Sequence, residues 1–186
     1  MNIPEILKNI VLFLNEPFDQ ETLFQKILQA CISYTAAEGG SVLICDYENE
    51  EFVTRAQLPQ NNDQLEVRRI SMNEGISSHA VRKKQSIYIP DVSMSADYKK
   101  VRDSVQSEVA VPLIYKNKTL GVLCLDSNKK NAFVSDELEL FNVVGGLAAQ
   151  SIYNANMYSS LQKTSQYRST LIEIGHLLTE GFDLKV

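Results

Sequence analysis

The sequence has little of the material from which disulfide frameworks and metal centres are made. Its 186 residues include three cysteines, two histidines and no tryptophan. Cys31, Cys45 and Cys124 are far apart and each lies in an apolar run, so we interpret them as buried, reduced thiols. We therefore predict no catalytic residue, no metal site and no covalent cofactor.

Long apolar runs and concentrated positive charge are also missing. No stretch approaches the roughly 18 apolar residues that a membrane-spanning helix needs, and the N-terminus lacks a basic region before an apolar one. The net charge is −5 and the basic residues are scattered, which argues against nucleic acid as the main partner. We expect a cytoplasmic protein with no membrane insertion and no nucleic-acid partner.

A glycine turn that opens into a helix begins the most informative stretch, Glu74 to Asp126. Gly75 precedes Ile76 and Ser77, and glycine adopts backbone angles that other residues avoid. The first turn of a helix leaves N–H groups unpaired, and these groups attract an anion. We therefore predict an anion-binding helix start here.

Strands and a polar segment follow this helix. A short strand at 87–89 ends at Pro90, and the residues from Val92 to Gln106 show no sustained apolar period. Ser107–Tyr115 and Thr119–Asp126 are predicted to form an antiparallel hairpin. We interpret the polar segment as a lid over a pocket.

Apolar residues at helical spacing predict helices near both ends of the chain. One lies within residues 1–15, a second runs from Asp19 to Ala37, and a long third follows Ser135. Further along, a stripe with the spacing of a two-stranded coiled coil comprises Tyr167, Leu171, Ile174 and Leu178.

Three more strands are predicted in the first half of the chain. The segments 41–46 and 52–58 carry near-continuous apolar runs separated by a polar turn, which favours a hairpin. Leu65, Val67 and Ile70 alternate with polar residues and predict a more exposed strand.

Two distant segments resemble each other. Ile10–Asp19 and Ile174–Asp183 share five of ten residues, and both follow a helical pattern. Because such a match is typical of a repeated unit, we expect the natural chain to continue past Val186, into a second, similar domain.

Five short motifs occur in the order that is typical of one family. They are Gly75 to Val81, Ile89 to Val92, Ser107 to Leu113, Gly121 to Asp126 and Phe133 to Glu137. Together they resemble a GAF domain over about Asp19 to Tyr158. The resemblance implies an α+β fold with a central antiparallel sheet of about six strands, the terminal helices on one face and a ligand pocket on the other.

This resemblance also implies a domain organisation and a role. Residues 1–15 are assigned to an N-terminal dimerisation helix, 16–158 to the GAF domain, and 159–186 to a signalling helix and the start of a following domain. GAF domains are regulatory sensors, so we expect a non-enzymatic homodimer that binds a ligand and signals to a downstream output domain in the same chain.

Within the family, the chain most resembles the cyclic-nucleotide-binding group of bacterial-type signalling proteins. In that group the ligand phosphate rests on the helix start, a polar residue of the first strand and an aromatic lid residue contact the ligand, and an Asn-Lys pair follows the last strand, as at 128–129 here. Cys124 departs from the group, whose members may carry a carboxylate there. The resemblance implies cAMP, or less favourably cGMP, as allosteric ligand and these contact residues: Ser41, Gly75, Ile76, Ser77, Ser78, Asp91, Val92, Tyr98, Ser107, Glu108 and Cys124.

Other functions stay open or are disfavoured. A ligand-free dimerisation module is the main alternative, and haem ligation by His79 is a weaker one. A Ser78, His79 and Asp91 triad is disfavoured because adjacent residues of a helix point about 100° apart. Methionine sulfoxide reductases with a GAF fold need paired reactive cysteines, and only Cys124 is a candidate.

Overall fold

A computed structural model describes residues 5, 8, 10–12, 20–59, 68–99 and 102–182. Contacts divide the chain into two units, Met1–Ile152 and Tyr153–Val186. The first unit contains a six-stranded sheet, and the described part of the second is helical. The elements, in chain order, are α1 (Gln20–Tyr34), β1 (Gly39–Asp46), β2 (Glu51–Leu58), β3 (Arg69–Ser71), α2 (Gly75–Lys83), β4 (Ile87–Ile89), a 3₁₀ helix (Val92–Met94), β5 (Ser107–Tyr115), β6 (Lys118–Ser127) and α3 (Ser135–Phe182).

The sheet has the strand order β3-β2-β1-β6-β5-β4, and all neighbouring strands are antiparallel. This arrangement confirms the predicted α+β fold with its six-stranded antiparallel sheet. The β5–β6 hairpin closes through Lys116 and Asn117, which both have positive φ, and Tyr115 pairs with Lys118. Two consecutive positive φ angles are typical of the tight turn whose twist matches that of a hairpin.

One face of the sheet, the helix face, packs against α1 and the first part of α3. Phe24, Ile27 and Leu28 of α1 and Phe141 of α3 are at most 1% exposed. They share an apolar cluster with alternate residues of the central strands, among them Leu125. These side chains recur at the helical period in the helices and at the strand period in the sheet, so each layer presents an apolar face to the other.

The opposite face, the pocket face, packs against α2. Its apolar cluster is smaller and includes Leu43, Phe52, Ile76 and Cys124. Gly75 begins α2 with φ of +85°, a conformation that suits glycine. The predicted glycine turn and helix start are confirmed.

Two element boundaries differ from the sequence prediction. Helix α1 ends at Tyr34 rather than Ala37, because the Thr35 hydroxyl donates to the Cys31 carbonyl and the Ala36 N–H donates to Glu137, which turns the chain towards α3. Gly39 and Gly40 then belong to β1. The predicted third strand starts at Arg69, and Leu65 and Val67 lie outside the described residues.

The terminal regions are described only in part. Glu5, Lys8 and residues 10–12 are helical, and Ile10 is fully buried; the rest of the predicted helix within 1–15 lies outside the described residues. Helix α3 extends to Phe182. The side chains of the coiled-coil stripe, Tyr167 to Leu178, lie outside the described part. Across the described residues, no helix carries an apolar stretch long enough to span a membrane.

Candidate functional site

The pocket face contains a cavity of about 270 Å³, which is lined by residues of β1, β2, β3, β5 and β6, by the start of α2 and by the segment that carries Lys99 and Arg102. In the sheet, Glu108 pairs with Asp126 and Asp126 pairs with Gly39. One step along the same face, Cys124 pairs with Ser41. Because side chains two residues apart on a strand share a face, this register gathers polar groups on the wall of one cavity.

Six of the predicted contact residues lie on the cavity wall: Ser41, Gly75, Ile76, Ser77, Glu108 and Cys124. The Ser77 hydroxyl and the Cys124 sulfur lie 3.2 Å apart and share a hydrogen bond. The amide end of α2 therefore borders the cavity, as predicted from the glycine turn. Ligand contact by these residues stays a prediction.

The other five predicted residues are not among the residues that line the cavity. Ser78 is buried and donates its hydroxyl to the Glu74 carbonyl at 2.6 Å, a bond inside the first turn of α2. Asp91 caps the 3₁₀ helix by accepting from the Ser93 N–H at 3.0 Å, and it forms a 2.7 Å ion pair with Lys130. Local hydrogen bonds and a surface ion pair thus engage the polar atoms of both residues.

Val92, Tyr98 and Ser107 also lie off the cavity wall. The Val92 N–H donates to the Gln106 carbonyl at 2.9 Å, which closes the base of the predicted lid. The Ser107 hydroxyl donates to the Lys129 carbonyl at 2.7 Å. Tyr98 is half-buried within the segment but does not line the cavity. The predicted lid aromatic therefore does not face the cavity in this structure.

Sequence reasoning missed four charged residues that share the cavity wall with Glu108. Asp126, Arg102, Lys99 and Arg68 all line the cavity. Asp126 could have been found, because it follows Cys124 by two residues on β6 and must share its face. Arg102 gave no such signal, since it lies in a polar segment without periodicity.

The buried carboxyl groups dominate the electrostatics of the site. Glu108 is 5% exposed, and burial, reinforced by the charge of Asp126, raises its pKa to about 8. Burial also raises the pKa of Asp126, while the Arg102 guanidinium, which pairs with Asp126, opposes that change. At neutral pH this places a mostly protonated Glu108 beside the Arg102 and Asp126 pair.

The thiol in the cavity is a poor nucleophile. Burial and the neighbouring Glu108 raise the pKa of Cys124 well above its usual range. Cys31 and Cys45 are also free, and burial raises their pKa values to about 12 and about 11. Reactive cysteines are instead those whose pKa is lowered. Among the described residues, no group of three or more His, Cys, Asp or Glu side chains could hold a metal ion.

The sequence profile described as GAF domain matches residues 19–152. The chain belongs to the GAF domain family. No functionally curated protein matched the sequence.

Solved structures share the fold at low sequence identity. The GAF domain of a phosphoenolpyruvate-protein phosphotransferase (ptsP) from Coxiella burnetii has a TM-score of 0.79 and 21% identity, with 86% of this chain and 98% of that one covered. The free methionine-R-sulfoxide reductase from Neisseria meningitidis, in complex with its substrate, has a TM-score of 0.71 and 18% identity, covering 84% and 89%.

A third similar structure is the nlh2 GAF domain of A. aeolicus in an inactive state, with a TM-score of 0.68 and 14% identity over 82% of this chain and 96% of that one. None of these three proteins is named for binding a cyclic nucleotide. The resemblance to the cyclic-nucleotide-binding group therefore gains no support from them. At these identities the likeness shows the fold alone. The chain contains a GAF domain, and the members of this family are generally ligand-binding regulatory domains.

Proposed function

We propose that this GAF domain senses a small metabolite that carries both a positive and a negative group, such as a free amino acid. The observation that carries the proposal is the pair of buried carboxyl groups, Glu108 and Asp126, on the wall of a cavity that is also lined by Arg68 and Lys99. Carboxyl groups are rarely buried without a functional or structural reason. An ammonium group would bind the Asp126 carboxylate and donate to the carboxyl oxygen of Glu108, and the ligand's anionic group would face the basic side chains and the amides of α2.

The volume of the cavity supports a small ligand. Pockets for drug-sized molecules occupy about 300–1,000 Å³, and this cavity of about 270 Å³ lies just below that range. Its walls combine apolar surface from Leu43, Phe52 and Ile76 with the charged groups. A compact molecule with an apolar side chain and charged ends matches such a lining.

The structural relatives point to the same ligand class. Several similar structures are free methionine-R-sulfoxide reductases, whose name gives an amino-acid derivative as the substrate. Phosphotransferase GAF domains share the fold too. A pocket of the GAF fold is therefore able to hold an amino-acid derivative.

A cyclic nucleotide, with cAMP favoured over cGMP, is the second candidate ligand. The position of the α2 start favours it, because the amides of Ile76 and Ser77 border the cavity and would receive a cyclic phosphate. Protonated Glu108 would then hydrogen-bond to the base. Two observations disfavour this candidate: the small volume of the cavity and the position of Tyr98 away from its wall.

Calorimetry of the full chain against a panel of ligands decides between the two candidates. The panel contains the common free amino acids, methionine sulfoxide, cAMP, cGMP and AMP, added to protein stripped of carried-over ligand. We expect binding of at least one amino acid and loss of that binding in Glu108→Gln. Glu139→Gln, which changes an exposed carboxylate on α3, is the matched control and keeps the affinity.

Each other outcome of the panel has a clear meaning. Binding of a cyclic nucleotide alone replaces the first candidate with the second. No binding of any compound at millimolar concentration contradicts ligand sensing and leaves the ligand-free dimerisation module. A Soret absorbance in purified protein would instead show that haem occupies the cavity.

We further propose that the chain does not catalyse a reaction by itself. The raised pKa of Cys124 keeps its thiol protonated, whereas sulfoxide reduction with a GAF fold needs paired reactive cysteines. Incubation with free methionine-R-sulfoxide and dithiothreitol is expected to leave the sulfoxide unchanged beyond the protein-free rate. Faster turnover would overturn this part of the proposal.

Homodimerisation through the terminal helices, with output passed to a downstream domain, completes the proposed function. Exposed apolar side chains support it: Val11 and Leu12 near the N-terminus are 44% and 51% exposed. On α3, Met157 and Leu161 are 47% and 62% exposed. Sedimentation of the chain at high micromolar concentration is expected to show a dimer, and a purely monomeric species contradicts it.

A further inference from the structure

Arg102 places a cation inside the pocket. Its guanidinium donates to Asp126, and the side chains of the pair are only 23% and 10% exposed. The guanidinium also lowers the pKa of Glu108 against the effect of burial. In this structure Arg102 is therefore a counter-ion of the buried carboxyl groups, on the same wall that the proposed function assigns to a ligand's positive group.

Strand β1 leaves space for this guanidinium. A Cβ atom added to Gly39 would lie 2.8 Å from the Arg102 Cζ and 2.9 Å from the Asp126 Oδ1, closer than real Cβ atoms approach such groups. Only glycine allows the guanidinium to lie so close to the backbone. The space between Gly39 and Asp126 thus accommodates a compact cation.

Two further ion pairs connect the segment that carries Arg102 to the pocket face. Lys99 pairs with Glu74 at 2.7 Å, but both side chains are more than half exposed. His79 Nδ1 and Asp97 lie 3.5 Å apart, and that aspartate is 58% exposed. Exposed pairs of this kind add little stability. The Arg102 and Asp126 pair is the least exposed of these three.

The base of the segment is fixed separately by the backbone. The Val92 N–H donates to Gln106 at 2.9 Å, and the Gln106 N–H donates to Ser127 at 2.8 Å. Loss of the Arg102 contact would therefore loosen residues 93–99 from the pocket face, while the backbone hydrogen bonds and the buried Val105 keep both ends of the segment anchored.

We propose that Arg102 is a replaceable internal counter-ion, whose guanidinium occupies the space between Gly39 and Asp126 until the ammonium or guanidinium group of a ligand takes its place. This rests on the proposed function in one respect, that a ligand with a cationic group enters the pocket. Replacement keeps the buried carboxylate paired in both states, which avoids the large penalty of an uncompensated buried charge. It also couples ligand binding in the pocket to the position of the segment that carries Arg102, because the ligand and Arg102 compete for one position.

Arg102→Ala tests the proposal with a simple cation in place of the natural ligand. The variant leaves a guanidinium-sized space beside Asp126, and methylguanidinium chloride at millimolar concentration is the probe. Scanning calorimetry is expected to show a saturable rise in Tm of about 2–4 °C. No rise in Tm is expected for wild type, in which the space is filled, or for the double variant Arg102→Ala with Asp126→Asn. Tetramethylammonium chloride is expected to raise the Tm of none of these proteins.

Hydrogen exchange of residues 92–99 provides the second readout. Exchange is expected to be faster in Arg102→Ala than in wild type, and to stay fast after methylguanidinium binds, because the probe fills the space without tethering the segment. Slow exchange in Arg102→Ala would contradict the release of the segment. No saturable response to methylguanidinium in the folded variant would overturn the counter-ion proposal.

Arg102→Gln keeps the test decisive if Arg102→Ala does not fold. It retains most of the side-chain volume without the charge, and methylguanidinium is expected to raise its Tm by a smaller, still saturable amount. No rise overturns the proposal. Different results contradict the two proposals. If wild type binds no compound of the calorimetry panel, ligand sensing is contradicted. If Arg102→Ala does not respond to methylguanidinium, only the proposed role of Arg102 is contradicted.

Discussion

The two faces of the sheet are buried to a similar degree but differ in chemistry. On β5 and β6, Val109 and Leu125 point to the helix face and are fully buried. Their direct neighbours in the chain, Glu108 and Asp126, point to the pocket face and are 5% and 7% exposed. Apolar burial on one side stabilises the fold, whereas buried carboxyl groups on the other cost stability unless they are paired. The difference teaches that the helix face holds the domain together, whereas the pocket face carries the charged groups on which the proposed ligand binding depends.

Deletion of a large side chain on the helix face is expected to have the largest effect. Phe141 is fully buried and stacks edge-on against Phe133 with ring centroids 5.7 Å apart. Phe141→Ala should lower the free energy of unfolding by about 3–5 kcal/mol, since it leaves a cavity in a packed core. Urea denaturation followed by circular dichroism measures this. Val143→Ala, at a side chain that is 45% exposed, is the control, and an equal loss in both variants would contradict the central role of the helix face.

Removal of the buried carboxyl group on the pocket face is expected to act in the opposite direction. The pKa of Glu108 rises from 4.5 to about 8 in the folded chain, so the folded state holds a proton that the unfolded state releases in this window. The free energy of unfolding should therefore fall as pH rises from 4.5 to about 8, by at most about 1.4 kcal/mol per pH unit.

Glu108→Gln removes this pH dependence. The variant is expected to match wild type at pH below the ordinary glutamate pKa, to become progressively more stable than wild type as pH rises, and to keep a constant advantage above the folded pKa. Urea denaturation across this pH range checks it, with Glu139→Gln as a control whose curve parallels that of wild type. Parallel curves for Glu108→Gln would show that Glu108 does not hold a proton in the folded state.

Sequence reasoning recovered the parts of the molecule that short-range patterns determine. The β5–β6 hairpin followed from alternation around a polar turn, and the start of α2 followed from Gly75 ahead of an apolar helix pattern. The family resemblance pointed to Glu108 and Cys124, and both lie in these regular strands. Their common face is a direct consequence of the strand period.

The remaining parts depend on contacts between distant segments. Arg102 reaches Asp126 from a segment with no periodicity, so only the tertiary structure reveals the pair. Tyr98, the aromatic residue that the resemblance places on the lid, is half-buried away from the cavity wall. Ligand identity was out of reach because it depends on charges that these contacts bring together.

Two adjacent glycines of α3 give the smallest expected effects and test how tightly the helix face is packed. A Cβ atom at Gly145 would lie 2.8 Å from the Val111 Cγ1, whereas one at Gly146 would meet nothing within 4 Å. Gly145→Ala should destabilise the chain because the sheet beneath cannot yield. Gly146→Ala should stabilise it by about 0.5–1 kcal/mol through helix propensity. Thermal unfolding of both variants measures the contrast, and two changes of equal sign and size would contradict close packing of α3 on the sheet.

Hydrogen–deuterium exchange of the wild-type chain, with and without a mixture of the common free amino acids at millimolar concentration, tests the central claim most directly. With a mixture, no single ligand has to be chosen in advance. The exchange pattern reports on both faces of the sheet in one experiment. We predict slower exchange in peptides that cover the start of α2 and the ends of β5 and β6 around Glu108 and Asp126, with no comparable change in α3 around Phe141. Unchanged exchange throughout, or protection confined to the helix face, would contradict a binding site on the pocket face.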